Sequence, residues 1–161
     1  MAHRSEPVIR PFRPDDAPAL LELFRETVRR VNVRDYTPEQ VRAWAPDEID
    51  GDAWAARFEG RYVAVVELDG RIAGFADLEP DGHLDRLFVS ADFQRRSVGR
   101  TLLEAVQAEA RRLGLERVFA EVSITARPLF ESQGFVVLEP QTVVARGVEF
   151  RNYRMERRLV E

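Results

Sequence analysis

The residues with most chemistry to offer lie where an apolar strand pattern, Leu84 to Val89, runs through an arginine-rich turn into a helical pattern. The turn reads Gln94-Arg95-Arg96-Ser97-Val98-Gly99-Arg100-Thr101. A strand-to-helix turn presents unpaired backbone N–H groups, and a helix N-terminus carries partial positive charge. With arginines at 95, 96 and 100, the turn is suited to cradle a pyrophosphate, which points to a nucleotide-type cofactor. A solvated surface turn is the competing reading of the same residues. Just upstream, period-two alternation places His83, Asp85, Leu87 and Val89 on one strand face, an imidazole and a carboxylate in line with two apolar side chains.

Composition removes several other chemistries. The 161 residues contain no cysteine, so disulfides, thiolate metal sites and a cysteine-linked acyl intermediate are excluded. His3 and His83 are the only imidazoles, too few for a histidine-rich metal site, and no metal is expected. A net charge of −4 argues against general nucleic-acid binding. No apolar run is long enough to cross a bilayer, and the first residues do not read as a signal peptide. Apolar residues at 45% and charged residues at 32% suit an ordinary globular chain, so a single domain over 1–161 in the cytoplasm is expected, with no membrane partner.

The elements that must position the turn follow from pattern. Val8 to Arg10 reads as a short strand. Asp15 or Asp16 offers an N-cap for a helix with Ala19, Leu20, Leu23, Phe24, Thr27 and Val31 as its apolar stripe. Thr37-Pro38-Glu39-Gln40 has the form of a capping box opening a short helix towards Trp44, stopped by Pro46, and Asp52 is expected to cap a further turn through Phe58. Tyr62–Leu68 and Arg71–Leu78 read as strands joined by Asp69-Gly70, followed by a third strand from His83 to Val89. The helix after the turn ends near Leu113 with Gly114 as its C-cap; Arg117–Val122 is a strand, and Thr125 is expected to cap a helix ending near Gly134. Phe135–Val144 and Val148–Leu159 form a closing hairpin around Arg146-Gly147, whose exposed strands leave room for a monomer or a homodimer. The fold class is α/β (α+β): a mixed sheet of about seven strands flanked by helices.

This order resembles the GNAT superfamily of acyl-CoA-dependent N-acetyltransferases. The family's loop pattern, Gln/Arg-x-x-Gly-x-Gly/Ala, is matched by Gln94 to Gly99 with Ser97 at the first glycine; Leu87-Phe88-Val89 matches the end of the preceding strand. The segment Ser123 to Phe135 keeps the spacing of Asn-x-x-Ala-x-x-x-Tyr-x-x-x-Gly-Phe, with Ser123 at the asparagine and Phe130 at the tyrosine. Tyr36-Thr37-Pro38-Glu39-Gln40 leading to Trp44-Ala45 is similar to the YafP-like branch.

The resemblance implies a mostly antiparallel central sheet splayed between its fourth and fifth strands, with acetyl-CoA (coenzyme A) as cosubstrate. Backbone amides from Arg95 to Thr101 would hold the pyrophosphate, with arginine side chains adding charge-assisted bonds. Leu87 and Val89 would pair through their backbones with pantetheine beside Phe88, Ser123 would contact it, and Phe130 would pack on its apolar arm. The chemistry needs a neutral amine, so His83 or Asp85 would accept a proton, Asp85 through a water. Tyr153, Tyr36 or a water would protonate the thiolate in place of the absent tyrosine, or it would leave unassisted. Tyr36, Trp44 and Trp54 would wall the acceptor pocket. The expected activity is transfer of an acetyl group to a primary amine, of a small molecule or a peptide, by direct attack in a ternary complex; a catalytically degenerate acyl-CoA-binding or sensing module is the alternative.

Overall fold

The computed structural model describes residues 6–160. His3 and the rest of the first five residues, with Glu161, lie outside that range. Strands β1 (Val8–Pro11), β2 (Tyr62–Leu68), β3 (Arg71–Leu78) and β4 (Leu84–Val89) form one antiparallel sheet in the order β1-β2-β3-β4. Strands β5 (Arg117–Ser123), β6 (Val136–Ala145) and β7 (Val148–Arg158) form a second, in the order β5-β7-β6. Helices α1 (Ala17–Arg30), α2 (Pro38–Trp44) and α3 (Gly51–Ala56) cover one side of the first sheet. Helix α4 (Val98–Arg112) packs on its other side, and α5 (Arg127–Ser132) follows β5.

The seven expected strands are all present, but they make two sheets. Contact between β4 and β5 is limited to one end, where His83 and Phe119 form a single parallel bridge and the Phe119 amide donates to the Gly82 carbonyl at 3.0 Å. A Cβ on Gly82 would stand 2.6 Å from the Arg117 carbonyl oxygen, so glycine is what lets the β3–β4 turn reach β5. Beyond that junction no ladder joins β4 to β5 among the described residues, and the splay between them opens into a cleft.

The β2–β3 and β6–β7 hairpins turn on Asp69-Gly70 and Arg146-Gly147, each pair with positive φ at both residues, the geometry that suits strand twist. The β2 strand is buried on both faces: Val63 and Val65 join Leu20, Phe24, Val28 and Phe75 under α1–α3, whereas Ala64, Val66 and Leu68 join Leu102, Leu103, Val106 and Met155 under α4. Two-sided burial is why its sequence reads as a nearly continuous apolar run.

Several local expectations are corrected. Asp16 occupies the α1 N-cap position, but its carboxylate accepts from the Arg13 amide and pairs with Arg10 rather than capping the helix. Ala19 is exposed, and Ala17 and Val28 take its place in the buried stripe. Asp50, not Asp52, caps α3, accepting from the Asp52 and Ala53 amides. Thr125 donates its hydroxyl to Asp35; the turn into α5 is instead held by Ser123 Oγ, which accepts from the Ala126 amide at 3.0 Å. The shared face proposed for His83, Asp85, Leu87 and Val89 is broken by a β-bulge. Asp77 pairs with Arg86 but Leu78 pairs with Leu84, so Asp85 is the extra residue. Leu84, Leu87 and Val89 consequently pack with the α4-side core, and Phe88 with the α1–α3 side.

Candidate active site

The turn before α4 holds two residues in left-handed backbone conformation, Arg95 (φ 59°) and Ser97 (φ 65°, ψ 14°). Gln94 fixes its entrance, donating through Nε2 to the Val89 and Ser90 carbonyls at 3.0 and 3.1 Å. The first bond of the helix runs from the Thr101 amide to the Ser97 carbonyl, and the amides of Arg95 through Arg100 donate to no acceptor in the described chain. Free amides at the positive end of a 15-residue helix, in a turn with Arg95 exposed and in no ion pair among the described residues, fit a diphosphate. Gly99 serves packing: a Cβ there would meet Leu129 Cδ2 at 2.6 Å. The Thr101 hydroxyl is bonded back to the Ser97 carbonyl, and Arg96 and Arg100 face Asp69 and Glu104.

Between the sheets lies a cavity of about 540 Å³. Leu87, Val89, Gln94, Ser123, Leu129 and Phe130 line it towards the turn; Tyr36, Trp44, Trp54, Asp85, Phe88 and Phe150 are also in its wall. Thr101, the other turn residues after Gln94, His83 and Tyr153 are not among its lining residues. The Ser90 amide donates to Ala73 on β3, so alternation along an antiparallel ladder turns the backbone groups of Leu87 and Val89 towards the cleft. The Val89 carbonyl is already taken there, by Thr27 Oγ1 and Gln94 Nε2, both at 3.0 Å. Phe130 is buried edge-on to Phe135 and has no proton to give. Tyr36 accepts from the Ile124 amide and donates to the Arg151 carbonyl, so its single proton is committed, and burial raises its pKa. The Trp54 indole N–H donates to the Ala17 carbonyl. Tyr153 sits on β7 between Val122 and Pro140, with the Arg127 guanidinium 4.5 Å above its ring.

Ionisable groups gather at the junction of the sheets. His83 Nε2 lies 2.6 Å from Glu121 and Nδ1 2.9 Å from Glu79, with its ring stacked on Phe119. The Glu121 bond chiefly, with Glu79 adding to it against burial, raises His83 to about 9. Glu121 itself lines the cavity and is held below the usual carboxylate range by the same bond. Burial alone would raise the Asp85 carboxyl, but Arg61 at 2.6 Å and Arg57 at 2.7 Å reverse that and lower it.

Residues 32–157 match the acetyltransferase (GNAT) domain family. The chain belongs to this family. It is 31% identical over 148 residues to the uncharacterized N-acetyltransferase YafP of Escherichia coli, covering 91% of this chain and 93% of that one. Among solved structures it is similar to a GCN5-related N-acetyltransferase from Rhodopseudomonas palustris (TM-score 0.91, 32% identity, 99% of both chains). The Salmonella typhimurium protein yncA, solved with acetyl-CoA, shares the fold at TM-score 0.74 and 23% identity over 98% of this chain and 96% of that one. GNAT membership makes the protein an acyltransferase with acetyl-CoA as cosubstrate, in agreement with the sequence reading.

Among the cavity-lining groups of this GNAT domain that escaped the sequence reading are Glu121, Arg86 and Asn152. Alternation in β5, with Val118, Ala120 and Val122 buried, does mark Glu121 as facing the other way. Asn152 reaches the cleft only because β7 pairs it with Ser123, a register no local pattern announces. Arg86 sits in an apolar strand where a buried cation is unexpected without its partner, Asp77.

Proposed function

We propose that the cleft between β4 and β5 carries out N-acetylation of a primary amine by direct attack, in a ternary complex. The row of free amides from Arg95 to Arg100, ahead of a cleft of this size, carries the reading. Those amides would hold the diphosphate, with Arg95, Arg96 and Arg100 adding charge and Thr101 closing the turn. The backbone of Leu87 and Val89 would align pantetheine beside Phe88, Ser123 and Phe130. Acetyl-CoA supplies an activated thioester: a C–N bond forms at its carbonyl carbon as the C–S bond breaks, the amine losing one proton and the thiolate gaining one. A β4 amide aimed into the cleft stabilises the charge that develops on the carbonyl oxygen.

Proton removal is assigned to the carboxylates in the cavity wall. Glu121 accepts the ammonium proton through a water, and His83 acts as a positioning residue behind it, because its imidazole touches Glu121 and not the cavity. Asp85, locked by Arg57 and Arg61, has its charge already matched and takes no proton from the amine. The thiolate leaves without a side-chain acid and takes its proton from water; Tyr153 keeps to packing. Tyr36, Trp44 and Trp54 wall the acceptor side. We place the protein in the cytoplasm, as monomer or homodimer; no helix among the described residues is long and apolar enough to cross a membrane.

The test is thiol release from acetyl-CoA across a panel of amines, with calorimetry of acetyl-CoA binding alongside. Turnover with at least one amine is expected, reduced 10-fold or more by Glu121→Gln. Tight binding with no turnover would return the acyl-CoA-sensing reading, and no binding would sink both.

A further inference from the structure

Asn32 is only 5% exposed, yet its carboxamide makes no hydrogen bond among the described residues. Five side-chain polar atoms are both unpartnered and sealed from solvent, Arg86 Nη1 and Asn152 Oδ1 among them, and neither polar atom of Asn32 is one of these. Its Oδ1 and Nδ2 are therefore unpaired and reachable, and the space they reach is the cavity that Asn32 lines. The other buried polar side chains of that wall, Thr27 and Arg86, both bond to the protein. A carboxamide carries one acceptor oxygen and two donor hydrogens, and native interiors seldom leave such a group unmatched.

The segment between α1 and α2 carries Asn32 across the parted ends of β4 and β5. On one side Thr27 donates its hydroxyl to the Val89 carbonyl at 3.0 Å. On the other, just beyond β5, Thr125 donates to Asp35 at 2.8 Å and the Ile124 amide to the Tyr36 hydroxyl at 3.0 Å. The two strands run parallel from the His83–Phe119 bridge, so Val89 and Ser123 mark their open ends.

At those ends the acceptors are spent. The Val89 carbonyl receives Thr27 Oγ1 and Gln94 Nε2, both at 3.0 Å, which fills its two lone pairs. Ser123 Oγ already accepts from the Ala126 amide. An extended chain laid along β4 would find the Val89 amide to bond its carbonyl, but no Val89 oxygen for its own N–H. Asn32 offers Oδ1 as the missing acceptor and Nδ2 as a donor beside it, the two partners that a secondary amide needs.

We infer that the Asn32 carboxamide pairs with a secondary amide of the pantetheine arm, in place of the acceptor that Thr27 and Gln94 take from β4. The assignment rests on the acetyl-CoA cleft proposed above and adds to it a holding residue from the helical layer.

Calorimetry with coenzyme A and with 3′-phospho-ADP, its nucleotide half without the arm, separates this role from a structural one. Asn32→Leu should weaken coenzyme A binding about 10-fold, the loss of one or two neutral hydrogen bonds. Its affinity for 3′-phospho-ADP should be unchanged. Because Asn32 has no protein partner to lose, the melting temperature of the ligand-free variant should hold or rise. Asn32→Ser, too short to bridge an amide, should give the same split if Asn32→Leu does not fold. Equal weakening of both ligands, a lower melting temperature, or unchanged affinity for coenzyme A overturns the assignment alone. A wild-type protein that binds no coenzyme A overturns the proposed function with it.

Discussion

His83 is held as a cation between Glu121 and Glu79, and the bond to Glu121 does most to raise its pKa from 6.5 to about 9. A histidine whose folded pKa is raised stabilises the fold in full below pH 6.5, and that contribution is lost as pH climbs through about 9. The melting temperature should therefore fall more steeply between pH 6.5 and 9 in the wild type than in His83→Ala, as a scanning-fluorimetry series would show. Catalysis should respond with the opposite sign. Loss of the His83 proton frees Glu121 to accept one, so kcat/KM should rise towards pH 9, and His83→Ala should flatten that limb; identical profiles would refute the positioning role. The sequence identified His83 as the one imidazole near the cleft, but not its two carboxylate partners. Glu79 and Glu121 come from a turn and a different sheet.

At the scale of elements, the N-terminus of α4 is positioned by what is missing from two glycines. A Cβ on Gly74 would stand 2.8 Å from Val98 Cγ1 and 2.9 Å from the Phe88 carbonyl oxygen, and one on Gly99 2.6 Å from Leu129. Both lacks bring the helix end down against β3 and α5. Gly99→Ala should cost about 1–3 kcal/mol by overpacking, read from the urea midpoint. Leu129→Ala in the same chain should recover part of that loss, because the two side chains share one space. The turn pattern marked Gly99 as a cofactor-loop residue; its packing role was illegible because Leu129 lies thirty positions on. Ser97 takes up the left-handed conformation that the family pattern gives to glycine, so the turn keeps its form with a different residue.

For the molecule as a whole, the central fact is a sheet that stays divided. The two halves meet at the His83–Phe119 bridge, and at the other end of β5 Tyr36, from the chain between α1 and α2, ties its hydroxyl to the Ile124 amide after β5 and the Arg151 carbonyl on β7. Tyr36 thus braces the helical layer against the second sheet. Tyr36→Phe leaves both backbone groups without this partner and should cost about 1–3 kcal/mol. If the brace sets the width of the cleft, acetyl-CoA affinity measured by calorimetry should fall with it. A stability loss with unchanged affinity would confine Tyr36 to folding.

The residue order alone determined the seven strands, their hairpins, the arginine turn and the family they resemble, because each rests on short-range periodicity, turn chemistry and spacing. Only the tertiary structure decided which polar groups face one another in the cleft. A bulge at Asp85 reset the face of β4, and the register of β7 on β5 brought Asn152 beside Ser123. Pairing between strands distant in the chain fixes those positions, and a local pattern carries no record of it.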